Sequence, residues 1–453
     1  MRNMIRAAAL SASALSIALP AAAHAAPPQA GAGDTAWTIL ADLTTEVGQR
    51  LAGSPREAAA REWGAARLAA LGFSNVRVEP FSILGFVRGA ESASLTAPYP
   101  HQLHMTALGY SAPTPKGGLT APVVYFATLD ALKAAPEGSL KGKIAFVDHA
   151  MRANQDGSGY GPYGQVRRQG PTIASAKGAA AIVIRSIGTD HNRDPHTGVT
   201  SWGEGARQIP AAAVSAPDAD LIARIAAGGK PMTLALAIDS HPQANLPSGN
   251  VVADLPGRDP ALPPVLLGCH LDSWDLGTGA IDDAAGCAIV TGAALRAQAD
   301  GRTLRTIRVL WAGSEELGGY GGDAYAKAHA SEPHALAMES DFGAGRVWRV
   351  KVNFADANKA LGERVKAALA PMGIVAGRDA AGGGTDVEPV IAAQKLAVVD
   401  LDQDGTRYFD LHHTPDDTLD KVDPADIEQN VAAWTAVLKV VANEPCAISG
   451  GAN

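Results

Sequence analysis

Histidine and carboxylate side chains cluster in one segment of the chain, LLGCHLDSWDLGTGAIDDAAG, at positions 266–286. An apolar run leads to His270 and Asp272, and a glycine-rich stretch then leads to Asp282 and Asp283. Later segments repeat this arrangement, with acids after apolar runs and a histidine in the loop before the last predicted helix. These further residues are Glu315, Glu316, Glu339, Asp341 and His413.

The residue types in this set indicate a metal centre. A single acid at a strand end often only caps the next helix, but many acids at one edge of a sheet repel each other unless cations neutralise them. Imidazole and carboxylate without thiolate suit zinc or a similar divalent ion. Two ions about 3.5–4 Å apart can bind a carbonyl oxygen and generate a hydroxide nucleophile. The set therefore predicts hydrolase chemistry.

A sheet has to bring these residues together. From residue 246 to the C-terminus, continuous apolar runs alternate with helical patterns, which predicts an α/β fold with a mostly parallel, doubly wound sheet flanked by helices. Ligands of such sheets bind beyond the carboxyl ends of the strands. Residues 34–73 predict two helices with a break at residues 53–55, and residues 76–81 predict a strand.

The sequence pattern changes between residues 101 and 245, where predicted short strands alternate with glycine-rich stretches and a predicted alanine-rich helix. This pattern predicts a small β-rich domain inserted into the main one. We therefore divide the chain into a signal peptide at 1–25, an N-terminal part of the main domain at 26–100, the insert at 101–245 and the part with the candidate ligands at 246–453.

The composition is that of a globular protein. Of 453 residues, 47% are hydrophobic and 19% are charged, which predicts two or three globular units rather than disorder. The formal net charge of −8 argues against nucleic acid as a partner.

The N-terminus has the features of an export signal. A basic start precedes an apolar run at 7–19, and small residues follow at Ala23 and Ala25, which is typical of a signal peptide cut after Ala25. The run is shorter than the ~20 residues of a membrane-spanning helix. We therefore expect a secreted or periplasmic protein without a membrane anchor.

The three cysteines, Cys269, Cys287 and Cys446, do not form a metal-binding pattern. Their odd number leaves at least one thiol free unless it pairs between chains. We expect Cys269 and Cys287 to be small buried core residues. A disulfide between them is the alternative in an oxidising compartment.

Four motifs occur in the order HLDSWDLGTGAIDDAAG, WAGSEELGGYGG, MESDFG and HHTPDDT. Together they resemble the co-catalytic dizinc exopeptidases of the zinc aminopeptidase and carboxypeptidase Q type. The insert resembles the protease-associated domain that part of this family carries. The resemblance covers nearly the whole mature chain.

The resemblance implies two zinc ions per chain and assigns their ligands. His270 and Asp341 would bind one ion, Glu316 and His413 would bind the other, and Asp282 would bridge the two.

Other residues receive supporting roles. Asp272 would orient the imidazole of His270, although it could instead cap a helix. Glu315 would be the general base that takes a proton from a water bridging the two ions and passes it to the leaving amine. The family also leads us to expect a cis peptide between Asp282 and Asp283.

Several residues have a less direct assignment. The ligand of the family precedes Ser or Thr, which favours His413 over His412, so we expect His412 to pack nearby. Asp386, in GGGTDVEP, is a candidate positioning residue. His191 and His196 could form a metal pair, but their place in the insert favours solvated or cleft-capping roles.

The resulting hypothesis is a secreted exopeptidase that hydrolyses short peptides or dipeptides. A receptor-like binding protein on the same fold and a cyclase-type acyltransferase are the alternatives. A serine hydrolase is disfavoured because the sequence lacks a G-x-S-x-G elbow. The acidic site favours recognition of an amino terminus, whereas an arginine such as Arg378 or Arg407 could bind a carboxylate instead. A homodimer is left open.

Overall fold

The computed structural model describes residues 35–451, so the signal peptide predicted at 1–25 lies outside the described residues. The strands are β1 (Ser74–Val87), β2 (Glu91–Ala97), β3 (His101–Leu103), β4 (Met105–Ala107), β5 (Leu119–Phe126), β6 (Ile144–Val147), β7 (Ala181–Arg185), β8 (Ala211–Val214), β9 (Thr233–Ile238), β10 (His241–Leu255), β11 (Val265–His270), β12 (Ile307–Ala312), β13 (Leu336–Glu339), β14 (Val347–Asn353), β15 (Val375–Ala376) and β16 (Ala397–Gln403).

The helices are α1 (Thr35–Asp42), α2 (Pro55–Ala70), α3 (Leu129–Ala134), α4 (Tyr160–Ala176), α5 (Ala216–Ala227), α6 (Ala285–Ala297), α7 (Tyr320–Ala328), α8 (Lys359–Leu369), α9 (Glu388–Gln394), α10 (Tyr408–Leu411) and α11 (Pro424–Val441). The two N-terminal helices and their break are confirmed. Ser54 ends the break because its side chain accepts a hydrogen bond from the backbone N–H of Glu57 and so caps α2. Within residues 35–451, no helix is long and apolar enough to cross a membrane.

The first sheet has the strand order β1-β10-β12-β11-β13-β16-β14-β15. Its centre, from β12 through β11 and β13 to β16, is parallel as predicted. In the described part of the chain, four of the seven strand pairings of this sheet are parallel, including that of β14 with β15, as the prediction of a mostly parallel sheet requires. The other three are antiparallel, because β10 pairs antiparallel with both β1 and β12, and β14 pairs antiparallel with β16. The fold is therefore a mixed α/β fold.

Strand β14 was not predicted. Its sequence, VWRVKVN, mixes apolar with charged and polar residues, and Val347, Val350 and Asn353 are buried while the residues between them are half-buried. The central strands β11 and β12 are different, since every residue in them is buried. Their alternate side chains enter two separate apolar clusters, one on each face of the sheet, so the continuous apolar runs of the sequence reflect burial on both sides.

The second sheet has the order β3-β2-β9-β5-β6-β7-β8-β4. All its strands lie between Glu91 and Ile238, and it has its own apolar cluster, which includes Phe146, Val183 and Leu234. Helices α3 and α4 pack together, and both α4 and α5 contact β7.

A long two-stranded ladder connects the two sheets. Strand β1 pairs with β10 over its whole length, from Ser74 opposite Asp254 to Val87 opposite His241. The chain leaves the first sheet at the end of β1 and returns to it at the start of β10, so both connections between the sheets lie side by side in one ribbon.

Cys269 and Cys287 are buried, as expected, and they form a disulfide, which was the alternative to two separate core residues. The first turn of α6 packs against the end of β11, which brings the two Cα atoms to 5.1 Å, a normal disulfide spacing. Cys446 is free and exposed. The disulfide fixes the end of β11 to the start of α6.

We expect the substitution Gly64→Ala to destabilise the fold, although alanine is favoured over glycine by about 1 kcal/mol within a helix. A Cβ on Gly64 in α2 would lie 2.9 Å from Cζ3 of the buried Trp311, and such overpacking costs about 1–3 kcal/mol. Denaturant unfolding should show a lower midpoint.

The matched control is Gly161→Ala in α4, where a Cβ meets no heavy atom within 4 Å. The free energy of unfolding should stay unchanged or rise slightly. Equal effects of the two substitutions would contradict the packing argument.

Candidate metal centre

The structure brings the predicted ligands to one edge of the first sheet. They lie at or beyond the carboxyl ends of the central strands, in the turn before α6, or in the loop after α10. The five residues are His270, Asp282, Glu316, Asp341 and His413, and their side chains are buried or half-buried.

Asp282 lies between the two histidines. Its Oδ1 is 3.0 Å from Nε2 of His270, and its Oδ2 is 3.3 Å from Nε2 of His413. His270 Nε2 also lies 3.3 Å from Asp341 Oδ1, and His413 Nε2 lies 2.9 Å from Glu316 Oε2. The cluster therefore has two halves, each with one imidazole and one acid of its own, and Asp282 presents one oxygen to each.

The donor atoms fit a divalent cation. Oδ2 of Asp282 and Oε1 of Glu316 are buried without a hydrogen-bond partner among residues 35–451, which is costly for a carboxylate oxygen unless a cation or donor compensates it. His270, Asp282 and Asp341 offer ligand atoms within 4.8 Å of one another. Nitrogen and oxygen donors without thiolate are a suitable set for zinc.

Burial and repulsion shape the acidity of the site. Burial, followed by the negative charge of Asp341, raises the pKa of Glu315 to about 8. Burial, followed by the charge of Asp282, also raises the pKa of Glu316. A bound cation reverses both effects because it stabilises the charged carboxylates.

Asp272 contacts both sides of the cluster. Nδ1 of His270 lies 3.0 Å from the backbone carbonyl oxygen of Asp272 and 3.7 Å from its carboxylate, so the carbonyl is the closer partner. The carboxylate accepts hydrogen bonds from the backbone N–H groups of Glu315 and Glu316, at 3.0 and 3.3 Å. It therefore holds the turn that carries these two glutamates.

Glu315 and Glu316 lie in this turn, beyond the end of the strand. Strand β12 ends at Ala312, and Ser314 has a positive φ of 63°, which turns the chain out of the strand direction. Both glutamates line the same cleft. The turn, rather than strand alternation, sets their directions.

The peptide bond between Asp282 and Asp283 is cis, as expected. Asp283 is buried and accepts hydrogen bonds from the backbone N–H of His270 at 3.1 Å and of Gly286 at 2.9 Å. It thereby joins the end of β11 to the start of α6, next to the disulfide.

Arg50 is a structural centre of the site that the sequence did not indicate. Its buried guanidinium donates hydrogen bonds to the carbonyl oxygens of Leu271 at 2.7 Å, Thr278 at 2.6 Å and Gly279 at 3.0 Å. These carbonyls belong to the loop between His270 and Asp282. The sequence does not indicate this role, because these three carbonyls lie more than two hundred residues away from Arg50.

The remaining predicted residues have varied positions. The rings of His412 and His413 stack with centroids 3.4 Å apart, and His412 Nε2 is 3.8 Å from Asp282, so His413 is the closer residue. His191 is exposed, in agreement with a solvated role. His196 is fully buried and hydrogen-bonded to Asp190 at 2.9 Å, so it is not a solvated residue.

Asp386 is fully buried, and neither of its carboxylate oxygens has a hydrogen-bond partner. Its backbone N–H and that of Val387 donate to Glu339 at 2.9 Å each. Its neighbour Thr385, and not Asp386, lines the cleft.

A cleft of about 340 Å³ opens onto the cluster. One wall contains Asp282, Glu315 and Asp341. Residues from the region of the second sheet, including Tyr160 and Arg167, also line the cleft. The volume is near the lower end of the range for small-molecule sites.

Comparison with known proteins gives consistent results. Residues 250–438 match peptidase family M28. Carboxypeptidase Q from Bos taurus is 34% identical over 410 residues, which are 89% of this chain and 84% of that protein. Carboxypeptidase Q from Homo sapiens is 34% identical over 409 residues, with the same two coverages, 89% and 84%.

Solved structures agree. A peptidase M28 precursor from Shewanella amazonensis has 44% identity and a TM-score of 0.89, covering 92% of this chain and 94% of that one. A zinc aminopeptidase from Bacillus subtilis has 20% identity and a TM-score of 0.62, covering 89% of this chain and 93% of that one, and this likeness concerns the fold.

We expect Arg50→Met to lower the free energy of unfolding by about 3 kcal/mol or more, because several buried carbonyls lose their donor. It should also weaken zinc binding about 10–100-fold, because the loop that carries Asp282 loses its support. Denaturant unfolding and zinc competition with a chelator measure the two effects.

Arg56→Met is the control, since Arg56 is exposed and donates to one carbonyl, that of Val47. It should change stability by less than about 1 kcal/mol. Unchanged zinc affinity in folded Arg50→Met would refute the role of Arg50 in the site.

Proposed function

Because the chain belongs to peptidase family M28 and is a zinc-dependent metallo-exopeptidase, we propose that it hydrolyses short peptides or dipeptides with two zinc ions acting together. The observation that carries this proposal is the position of Asp282, with one carboxylate oxygen toward His270 and the other toward His413. A carboxylate in this position can bridge two cations.

The ligand assignment follows from the two halves of the cluster. His270 and Asp341 would hold one ion, and Glu316 and His413 would hold the other, with Asp282 shared. When bound, the ions supply positive charge that polarises the scissile carbonyl and lowers the pKa of the attacking water.

Glu315 is the proposed general base. It lines the cleft next to the cluster, and bound cations would favour its charged carboxylate form, which can accept a proton. A carboxylate oxygen of Glu315 accepts the proton of the attacking water and later delivers it to the leaving amine. Asp272 keeps Glu315 in place because its carboxylate accepts a hydrogen bond from the backbone N–H of Glu315.

The proposal includes the organisation of the whole chain. Residues 1–25 act as an export signal, and the mature protein works outside the cell or in a periplasm. The region of the second sheet forms a protease-associated domain between the two parts of the peptidase domain. Its first strand begins at Glu91, so the domain starts earlier than the predicted bound of residue 101. This domain roofs the cleft, which favours short peptides over folded chains.

The first experiment measures zinc and product together. The purified mature protein should contain about two zinc ions per chain, lose activity with a chelator and regain it with zinc, because the ions activate the water. Chromatography should detect free amino acids released from dipeptides. A metal-free binding protein would release none, and an acyltransferase would give a cyclised product; full activity without metal would refute the proposal.

The second experiment separates base from ligand. Glu315→Gln should keep both zinc ions yet lose about a hundredfold or more in kcat, because an amide cannot accept the proton. Asp282→Ala should lose zinc. Glu62→Gln, at an exposed position on α2, is the control and should behave as wild type. Loss of zinc from Glu315→Gln would show that Glu315 is a ligand instead.

A further inference from the structure

The loop between His270 and Asp282 is supported by two different arginines. Arg50 bonds carbonyl oxygens near the two ends of this loop. Asp275 lies in its middle, and both oxygens of its carboxylate accept hydrogen bonds from Nε of Arg88, at 2.9 and 2.8 Å. Within the described part of the chain, Arg88 is the cation that pairs with Asp275. The middle of the loop therefore depends on Arg88.

Arg88 lies in the connection between β1 and β2, where the chain passes from the first sheet to the second. Its side chain is only 13% exposed. Apart from Asp275, its hydrogen-bond partners all belong to the region of the second sheet: Nη1 donates to Glu91, Thr106 and the carbonyl of Ala107, and Nη2 donates to the hydroxyl of Thr197. One guanidinium thus joins the loop to that region.

Thr197 continues the network to a candidate metal ligand. It is fully buried, and its hydroxyl lies 3.2 Å from Nη2 of Arg88 and donates to the carbonyl of Ala107 at 2.9 Å. Its backbone N–H donates to the carbonyl of His413 at 3.1 Å. Hydrogen bonds therefore lead from Asp275 through Arg88 and Thr197 to His413.

An apolar contact accompanies these hydrogen bonds. Trp274, next to Asp275, is buried, and the centroid of its ring lies 6.4 Å from that of Phe86 and 5.7 Å from that of His413. A Cβ on Gly109 would lie 2.5 Å from Cη2 of Trp274, so the second-sheet side leaves the ring no free space. A displacement of Asp275 would therefore move Trp274 against the His413 imidazole.

We propose that Arg88 is a positioning residue of the metal centre. Through Asp275 and Thr197 it fixes the loop before Asp282 and the backbone of His413 relative to each other. This inference rests on the proposed function, since it assumes zinc bound at these ligands. Arg88 acts indirectly, because it does not line the cleft. Largely buried, charge-assisted hydrogen bonds are strong, and groups that orient metal ligands influence metal affinity.

The test begins with Arg88→Met, which keeps an apolar side chain but removes every donor. Competition with a chelator should show zinc affinity about 10–100-fold lower than in wild type, because the ligands lose their alignment. We expect kcat on a dipeptide to fall at least about tenfold and KM to change less than about threefold, since no substrate contact is removed. Arg88→Lys should recover part of the zinc affinity because it keeps the charge opposite Asp275.

Asp275→Asn tests the same contact from its other side. It keeps the size of the side chain and leaves the bonds of Arg88 to the second-sheet region in place, so it remains informative if Arg88→Met does not fold. It should also weaken zinc binding about tenfold or more. The double variant should bind zinc little more weakly than Arg88→Met, because both changes remove one shared interaction.

Arg185→Met is the matched control. Arg185 on β7 is a buried arginine with two carboxylate partners, Asp148 and Asp220, and all its partners lie in the region of the second sheet. Its loss should lower the temperature of thermal unfolding but leave zinc affinity and kcat at the wild-type values. The inference is overturned if Arg185→Met weakens zinc binding as much as Arg88→Met, or if folded Arg88→Met keeps wild-type zinc affinity and kcat.

Cobalt substitution separates this inference from the proposed function, because the visible absorption of bound Co²⁺ reports ligand geometry without any substrate. If wild type cleaves no peptide, the proposed function fails, but a changed spectrum and weaker Co²⁺ binding in Asp275→Asn still support the role of Arg88. Identical spectra and affinities of wild type and Asp275→Asn refute that role even in an active peptidase. If wild type binds no Co²⁺ or Zn²⁺, both proposals fail.

Discussion

The mutual repulsion of buried acids at the end of one sheet is the constraint on which the rest of the site depends. Asp282, Glu315, Glu316 and Asp341 lie within one cluster, and no apolar packing can hold charged groups together. The protein meets this constraint with backbone supports. Asp272 holds the glutamate turn, Arg50 holds the loop before Asp282, and Asp283 and the disulfide join β11 to α6. Each support acts on the main chain, so the acids stay close even where their charges oppose it.

The sequence predicted the centre of this arrangement better than its surroundings. His270 and Asp341 were identifiable because residue type and position after an apolar run are local properties, whereas the role of Asp282 came from the resemblance to a known family. The parallel strands follow from burial on both faces. The turn after β12 was missed because Ser314 adopts a positive φ that no local pattern marks. Arg50 and the disulfide depend on contacts between distant segments. Strand β14 and the antiparallel flanks depend on pairing, which periodicity does not specify.

The cleft combines contributions from both sheets. The first sheet supplies the acids, and the region of the second supplies Tyr160, Arg167 and Arg168. The contact between them is direct, because the backbone N–H of Thr197 donates to the carbonyl of His413 at 3.1 Å. The lining of the cleft is complete only when both regions are present.

The ladder of β1 and β10 constrains how the chain assembles. Its partners, such as Val87 and His241, are far apart in sequence, and their pairing closes the entire second sheet into a loop. Contacts of such long sequence separation form slowly, because the entropy of loop closure opposes them. The second sheet has its own apolar cluster and brings the two ends together once it has folded. The first sheet is complete only when β10 pairs with β12. Its formation is therefore coupled kinetically to the folding of the second sheet, which contributes no strand to it.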